Sequence, residues 1–481
     1  MASGLNRPAG VFDATRALQP YGGPWNLRLA AHLLRRAGFG GTPDDIRRYA
    51  AMHPREAVSS LIHFADTSAL PQQPDNVFDP RDQLLALRGA DSTARRQAVA
   101  EVRKQMVASV ASMQYWWLNR MLSTPAPLQE KMTLFLHGHF TTAAIQKGVW
   151  PTYVWQQNQL FRNSALGNLR TLTVAVSQDP AMLLYLDNAS SNKMHPNENY
   201  ARELMELFTL GHGNYSEEDI RQSARAFTGW TIDRRAGQFV INPRIHDDET
   251  KTFLARSGNF DGNDIVKIIY EQPACSRFWA QKILNFFVYN DPEPQLIDAL
   301  ANVIRKNDYE LAPVMSAVLQ SNVFYSPRAY RALVKSPVEY VVGTYNAFGL
   351  SEIDTPALRA LSQMGQILFY PPNVAGWTGG TAWITSQTLI ARENFVATLV
   401  NSPMMNGSWV DRVPVAAQDV SKTLVSTLLQ DDAPPEAFSQ LADYLNGTNT
   451  SAIKSFSAEN FQERVRGAAY LTTAMPAYQL N

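Results

Sequence analysis

Apolar residues recur at three- and four-residue intervals along most of this chain, and that spacing predicts helices. The segment 27–37 gathers its leucines and alanines on one face and stops at Gly38-Phe39-Gly40-Gly41. Thr42-Pro43-Asp44-Asp45 opens the next helix, with Thr as N-cap, Pro in the first turn and two acids favouring the dipole. A proline-containing polar stretch, 65–82, reads as a loop, and a long helical tract over 80–122 follows. Ser123-Thr124-Pro125-Ala126-Pro127 breaks that tract, and a further helix covers 128–136 and ends near Gly138. Two-residue alternation shows at Gln238-Phe239-Val240-Ile241-Asn242 and Lys251-Thr252-Phe253-Leu254, two short strands around a polar tip at 243–250. Helices resume over 264–350, and the tail ends in a helix over 460–475. The expected architecture is all-α. A short arm, 1–24, precedes a single, large, mostly helical domain, 25–481, with a small β-hairpin excursion around 238–254. Helices are expected to hold more than half of the residues.

Composition narrows the classes. A chain of 481 residues that is 45% hydrophobic can bury a sizeable core. Its 43 basic and 43 acidic residues cancel, so there is no basic surplus to neutralise phosphates, and no nucleic-acid partner is expected. The single cysteine, Cys275, excludes an intramolecular disulfide or a Cys-based cluster and reads as a buried, inert thiol. No apolar run is long enough to predict a membrane span, and no leader is visible near residue 1.

Four stretches could carry chemistry. Asn197 starts and Gly211 ends a helix that places Tyr200, Leu204 and Phe208 on one arc. Glu198, Asn199, Arg202, Glu203 and Glu206 fall on the opposite arc. Three carboxylates around one Arg make either a site or a solvated face paired at four-residue spacing, Glu198–Arg202–Glu206. In His137-Gly138-His139, a departure from helix at Gly138 would let both imidazoles converge on a metal. The plainer reading is a His favourable to a helix C-terminus. Arg244-Ile245-His246-Asp247-Asp248-Glu249 could ligate or shuttle protons through His246 and Asp247, or be ordinary turn polarity. Between Pro371 and Trp383, Trp377 and Trp383 with Asn373 suit a sugar ring or other flat ligand, or else plug the space between helices. No nucleophile elbow, Walker loop, dinucleotide fingerprint or His-Glu-x-x-His helix is present.

These stretches resemble the bacterial family known as domain of unknown function 1800. The resemblance rests on His32-Leu33-Leu34-Arg35-Arg36-Ala37-Gly38-Phe39-Gly40, Glu130-Lys131-Met132-Thr133-Leu134-Phe135-Leu136-His137-Gly138-His139-Phe140 and the acidic helix 197–211. Ala226-Phe227-Thr228-Gly229-Trp230, His246-Asp247, Lys335-Ser336-Pro337-Val338-Glu339 and the segment 371–383 complete it, in one order over nearly the whole chain. It implies a shared fold and signature residues but carries no established reaction. Because many members look exported, it also implies a periplasmic or secreted protein. A solvated helix face should not recur in a signature, so the resemblance raises Glu198, Glu203 and Glu206, with His137, His139 and His246, as site candidates.

The leading expectation is a metal-assisted hydrolase. His137, His139 and Glu198 would hold a divalent Zn, Mn or Fe ion. Glu203 or Glu206 would act as general base, and His246, beside Asp247, as general acid. Asn199, Arg202, Asn373, Trp377 and Trp383 would hold a small-molecule or glycan substrate, with no organic cofactor. The rivals are a metal-free, two-carboxylate, glycosidase-like enzyme and a non-catalytic binding or assembly protein whose polar helix face is a salt-bridge network.

Overall fold

Side-chain caps start the helices that carry the fold. Asn26 accepts the Leu29 N–H ahead of the helix Leu27–Ala37, and Thr42 and Asp45 cap each other's backbone ahead of Pro43–Ala50. Ser336 and Glu339 do the same for Pro337–Phe348. The computed structural model describes residues 13–64, 74, 77–87, 91–233, 235–406, 408–413, 417–446 and 461–481. Residues 1–12 of the expected arm and most of the expected loop 65–82 lie outside the described residues. Helices take up 62% of the structure, so the predominantly helical reading holds.

Buried apolar side chains form a cluster that takes in residues from Ala17 to Tyr478, with Trp117, Trp230 and Trp279 fully enclosed. Cys275 lies within it, and burial pushes its thiol up. Two adjacent charges anchor the layers of helices. Glu130, fully buried, accepts from Trp117 Nε1 (2.9 Å), Arg120 Nε (2.9 Å) and Arg162 Nε and Nη2 (2.7 and 3.0 Å). These bonds tie the helix Pro127–His139 to Ser92–Ser123 and Pro151–Asn163. Lys131 reaches the other way, to Glu339 and to the Arg35 carbonyl (3.3 Å), and so joins Leu27–Ala37 and Pro337–Phe348. Among the described residues no helix is long and apolar enough to cross a membrane.

The strands form where alternation placed them, but they pair differently. β2 (Gln238–Ile241) pairs antiparallel with β1 (Trp230–Asp233), and β3 (Lys251–Phe253) with β4 (Arg256–Gly258). The expected hairpin between 238–242 and 251–254 is thus two tight hairpins joined by a strap. One turn closes on Gly237 at φ 67°, whose N–H reaches the Asp233 carbonyl (2.7 Å). The other uses Leu254 and Ala255 at φ 45° and 62°, a left-handed turn made without glycine, so no turn residue announced it.

Candidate functional site

The helix Pro127–His139 does not break at Gly138. Imidazoles two residues apart on a helix point about 200° apart, and each here meets its own backbone partner. His137 Nε2 accepts the Phe369 N–H (3.1 Å), with Trp117, Phe369 and Trp377 around its ring. His139 Nε2 stands 2.9 Å from the Phe208 carbonyl. A carbonyl only accepts, so His139 carries its proton on Nε2 and keeps a lone pair on Nδ1. Burial holds both imidazoles neutral, down to about 3.

The Phe208 carbonyl comes from an unexpected element. The acidic helix starts at Asn197 as expected, runs as α-helix over Glu198–Glu203, and continues as a π-helix over Leu204–Thr209. The Leu210 and Gly211 N–H groups both return to the Met205 carbonyl (2.8 and 3.0 Å). The wider turn redirects the acidic side chains. Arg202 pairs with Glu198 (3.4 Å) and with both oxygens of Glu217 (3.0 and 2.9 Å). Glu206 instead takes the Tyr215 hydroxyl (3.1 Å) and lies 3.2 Å from His212 Nε2. Asn199 is committed to the Leu186 carbonyl (3.2 Å). Partial burial and then Glu206 raise the Glu203 carboxyl above its ordinary value. Glu203→Gln is therefore expected to leave stability unchanged within about 0.5 kcal/mol, or to raise it slightly. A thermal melt showing a loss of several degrees would mean that the carboxylate is a structural anchor.

His246 Nδ1 donates to the Thr228 carbonyl (2.7 Å), and its Nε2 lies 4.0 Å from Asp248 Oδ1. Gly229, at φ 77°, lets the chain pass over it, since a Cβ there would come 3.1 Å from the His246 Cβ. Asp247 is an anchor for the strap. It accepts from Arg225 Nε (2.7 Å) and Nη2 (3.1 Å), while buried Lys251 donates to its carbonyl (2.6 Å).

The segment 371–383 packs on the end of the histidine helix. Thr141 Oγ1 donates to the Val374 carbonyl, and Gly376, at φ 78°, approaches so closely that a Cβ would lie 2.5 Å from the Gly138 oxygen. Beside this contact lies a cleft of about 320 Å³, walled in part by His139, Lys282, Asn285, Gln366, Trp377 and Trp383. That size falls within the range of about 300–1,000 Å³ for small-molecule sites. The Asn285 Oδ1 is buried without a partner. Gln366, 5% exposed, takes the Val338 N–H on its oxygen (3.0 Å) and keeps its amide hydrogens for the cleft. Lys282, an exposed residue, lies over the Phe278 ring (5.2 Å). Glu339 reaches the cleft but is engaged by Lys131.

Of the residues expected to form a site, His139, Trp377 and Trp383 meet in this cleft. His137 touches Trp377 from the core, Asn373 is exposed, and Glu198, Asn199, Arg202, Glu203, Glu206, His246 and Asp247 do not line it. Among the described residues no three His, Cys, Asp or Glu side chains are grouped to hold a metal ion. Lys282, Asn285 and Gln366 escaped the sequence reading because they stand in no motif. Glu339 was present in a signature segment, although its spacing carried no chemistry.

Fold and site together define a predominantly helical protein whose signature segments wall an aromatic, amide-lined cleft. The chain matches, over residues 32–480, the family described as a protein of unknown function, DUF1800, and it belongs to that family. Neither the curated proteins nor the solved structures gave a match.

Proposed function

We propose that the protein binds a glycan in the cleft beside Trp377 and Trp383. The observation that carries this reading is the composition of the wall. Two indoles stand with hydrogen-bonding groups that have no protein partner: the Gln366 amide hydrogens and the His139 Nδ1 lone pair. Sugar rings need an apolar face to stack on and neutral donors and acceptors around their hydroxyls. Lys282 adds a positive charge at which an acidic sugar would be favoured over a basic one.

The test is a titration of tryptophan fluorescence with soluble oligosaccharides, neutral and uronic, backed by calorimetry. Trp377→Ala is expected to weaken binding about tenfold or more, since losing one stacked aromatic face removes roughly 1.5–3 kcal/mol. Unchanged emission across the panel, or equal affinity in the variant, overturns the reading.

A catalytic form of the proposal keeps a divalent ion on His139 Nδ1, the free imidazole nitrogen in the cleft. Turnover of a bound oligosaccharide that requires Zn²⁺, Mn²⁺ or Fe²⁺, stops with chelator and is lost in His139→Gln would establish it. We favour binding alone, because His137 is committed to Phe369 and Glu198 to Arg202.

A further inference from the structure

The π-turn 204–209 does not line the cleft, yet it reaches two of the side chains that give the cleft its chemistry. An α-helical Leu210 N–H would return to Glu206. Here it returns to Met205 (2.8 Å), and the Gly211 N–H goes to the same carbonyl (3.0 Å). Thr209, fully buried, donates its hydroxyl to the Leu204 carbonyl five residues back and so fastens the wide turn. The Phe208 carbonyl, one of the last-turn carbonyls that a helix leaves unbonded, is turned to His139 Nε2. Gly211, at φ 75°, brings the chain against Phe278, which a Cβ there would meet at 3.3 Å. Phe278 in turn flanks His139 (5.9 Å between ring centres) and carries Lys282 over its face (5.2 Å).

His139 is 8% exposed and lines the cleft. With Nε2 spent on Phe208, Nδ1 presents a lone pair, and burial, followed by the Lys282 ammonium, keeps that nitrogen unprotonated at neutral pH. Its neighbours in the wall donate: the Gln366 amide hydrogens, the Trp383 indole N–H and the Lys282 ammonium. Those donors suit the oxygens of a ligand, whereas a ligand hydroxyl giving its own hydrogen finds an acceptor at His139. The opposite tautomer would set an N–H against that hydrogen and face the Phe208 carbonyl with a bare nitrogen.

We propose that the π-turn 204–209, through the Phe208 carbonyl, is the positioning element of the cleft and fixes His139 as the acceptor for one free hydroxyl of the bound sugar. The inference rests on the glycan reading for its ligand and adds the chemistry that is selected. A sugar with an unsubstituted hydroxyl at that point is accepted, and its deoxy counterpart is refused, because the buried acceptor then loses its only donor. The acidic helix thus serves the site through its backbone, although its carboxylates do not line the cleft.

The experiment has a readout that needs no ligand. Imidazole-nitrogen NMR of the full chain labelled at histidine, with the His139 signal identified by its loss in His139→Phe, is expected to show a protonated Nε2 and a bare Nδ1. Deleting Leu207 restores α-helical bonding to the turn and withdraws the Phe208 carbonyl, so the signal should divide between the two tautomers. The second readout is calorimetry with the tightest binder among neutral and uronic oligosaccharides, and with its monodeoxy analogues. One analogue is expected to lose about tenfold or more in affinity for the wild-type chain and to lose nothing further for His139→Phe. A wild-type His139 that is protonated on Nδ1 or exchanges between tautomers overturns the proposal. So does an unchanged His139 signal in the deletion chain, or a deoxy penalty that is the same with and without the imidazole. A fixed Nε2–H tautomer that the deletion abolishes, in a chain that binds no oligosaccharide, would uphold the positioning and overturn the glycan reading alone. Should the deletion chain not fold, Thr209→Val, which removes the hydroxyl bond across the wide turn, takes its place under the same criteria.

Discussion

Lowering the pH from about 7.5 to about 5 is expected to destabilise the protein through its buried histidines. His137 and His139 are held neutral in the fold with values near 3, whereas an unfolded histidine titrates near 6.5. The stability each contributes is complete above pH 6.5 and is drawn down as the pH falls toward 3, because only the unfolded chain takes the proton. At pH 5 the loss is about 2 kcal/mol for each of them. His32, lowered by burial and by Arg36 beside it, acts in the same direction. Asp179 opposes them. Burial raises its carboxyl to about 7, so its proton binds the folded state first and returns about 2–3 kcal/mol over the same interval. The double variant His137→Gln/His139→Gln keeps an amide able to accept from Phe369 or donate to Phe208. Denaturant melts should show wild type losing about 4 kcal/mol more than this variant between the two pH values. Asp179→Asn, which can still cap the Met182 N–H, should make the acid loss steeper. Parallel pH profiles for wild type and the double variant would show that these imidazoles do not govern acid stability.

Glu130→Gln is expected to cost about 3–5 kcal/mol, because it strands Arg162 inside the protein. The guanidinium of Arg162 is 1% exposed and gives two hydrogen bonds to this carboxylate, and Arg120 gives a third. A neutral amide keeps the shape but removes the counter-charge and turns one acceptor into a donor facing donors. Glu198→Gln, which unpairs Arg202 at an exposed site where Glu217 still holds it, should change stability by less than about 0.5 kcal/mol. Urea unfolding of the two single variants measures the contrast. Comparable small losses would remove Glu130 as the anchor between the histidine helix and its neighbours.

Glu130 and Lys131 stand in the same signature segment as His137 and His139, and all four hold backbone or helices in place. A residue type that recurs because it packs is indistinguishable, in one sequence, from one that recurs because it reacts. The polar arc of the acidic helix was legible as a pattern, but its partners were not. Arg202 finds Glu217 from the next helix, and the π-turn hands Glu206 to Tyr215.

Periodicity, caps and strand alternation are short-range properties, set by sterics and hydrogen bonds within a few residues, and the sequence alone determined them. It therefore specified the helical class, the starts at Leu27, Thr42 and Asn197, and the positions of β2 and β3. Tertiary structure decided what depends on distant neighbours. The tautomer of His137 follows from an amide 232 residues away, and the charge of Lys131 is answered 208 residues away by Glu339. The left-handed turn at Leu254 and Ala255 and the π-turn at 204–209 are backbone states that these residues do not prefer by themselves. Packing around them supplies the energy that holds those states, and packing is what no local window of sequence contains.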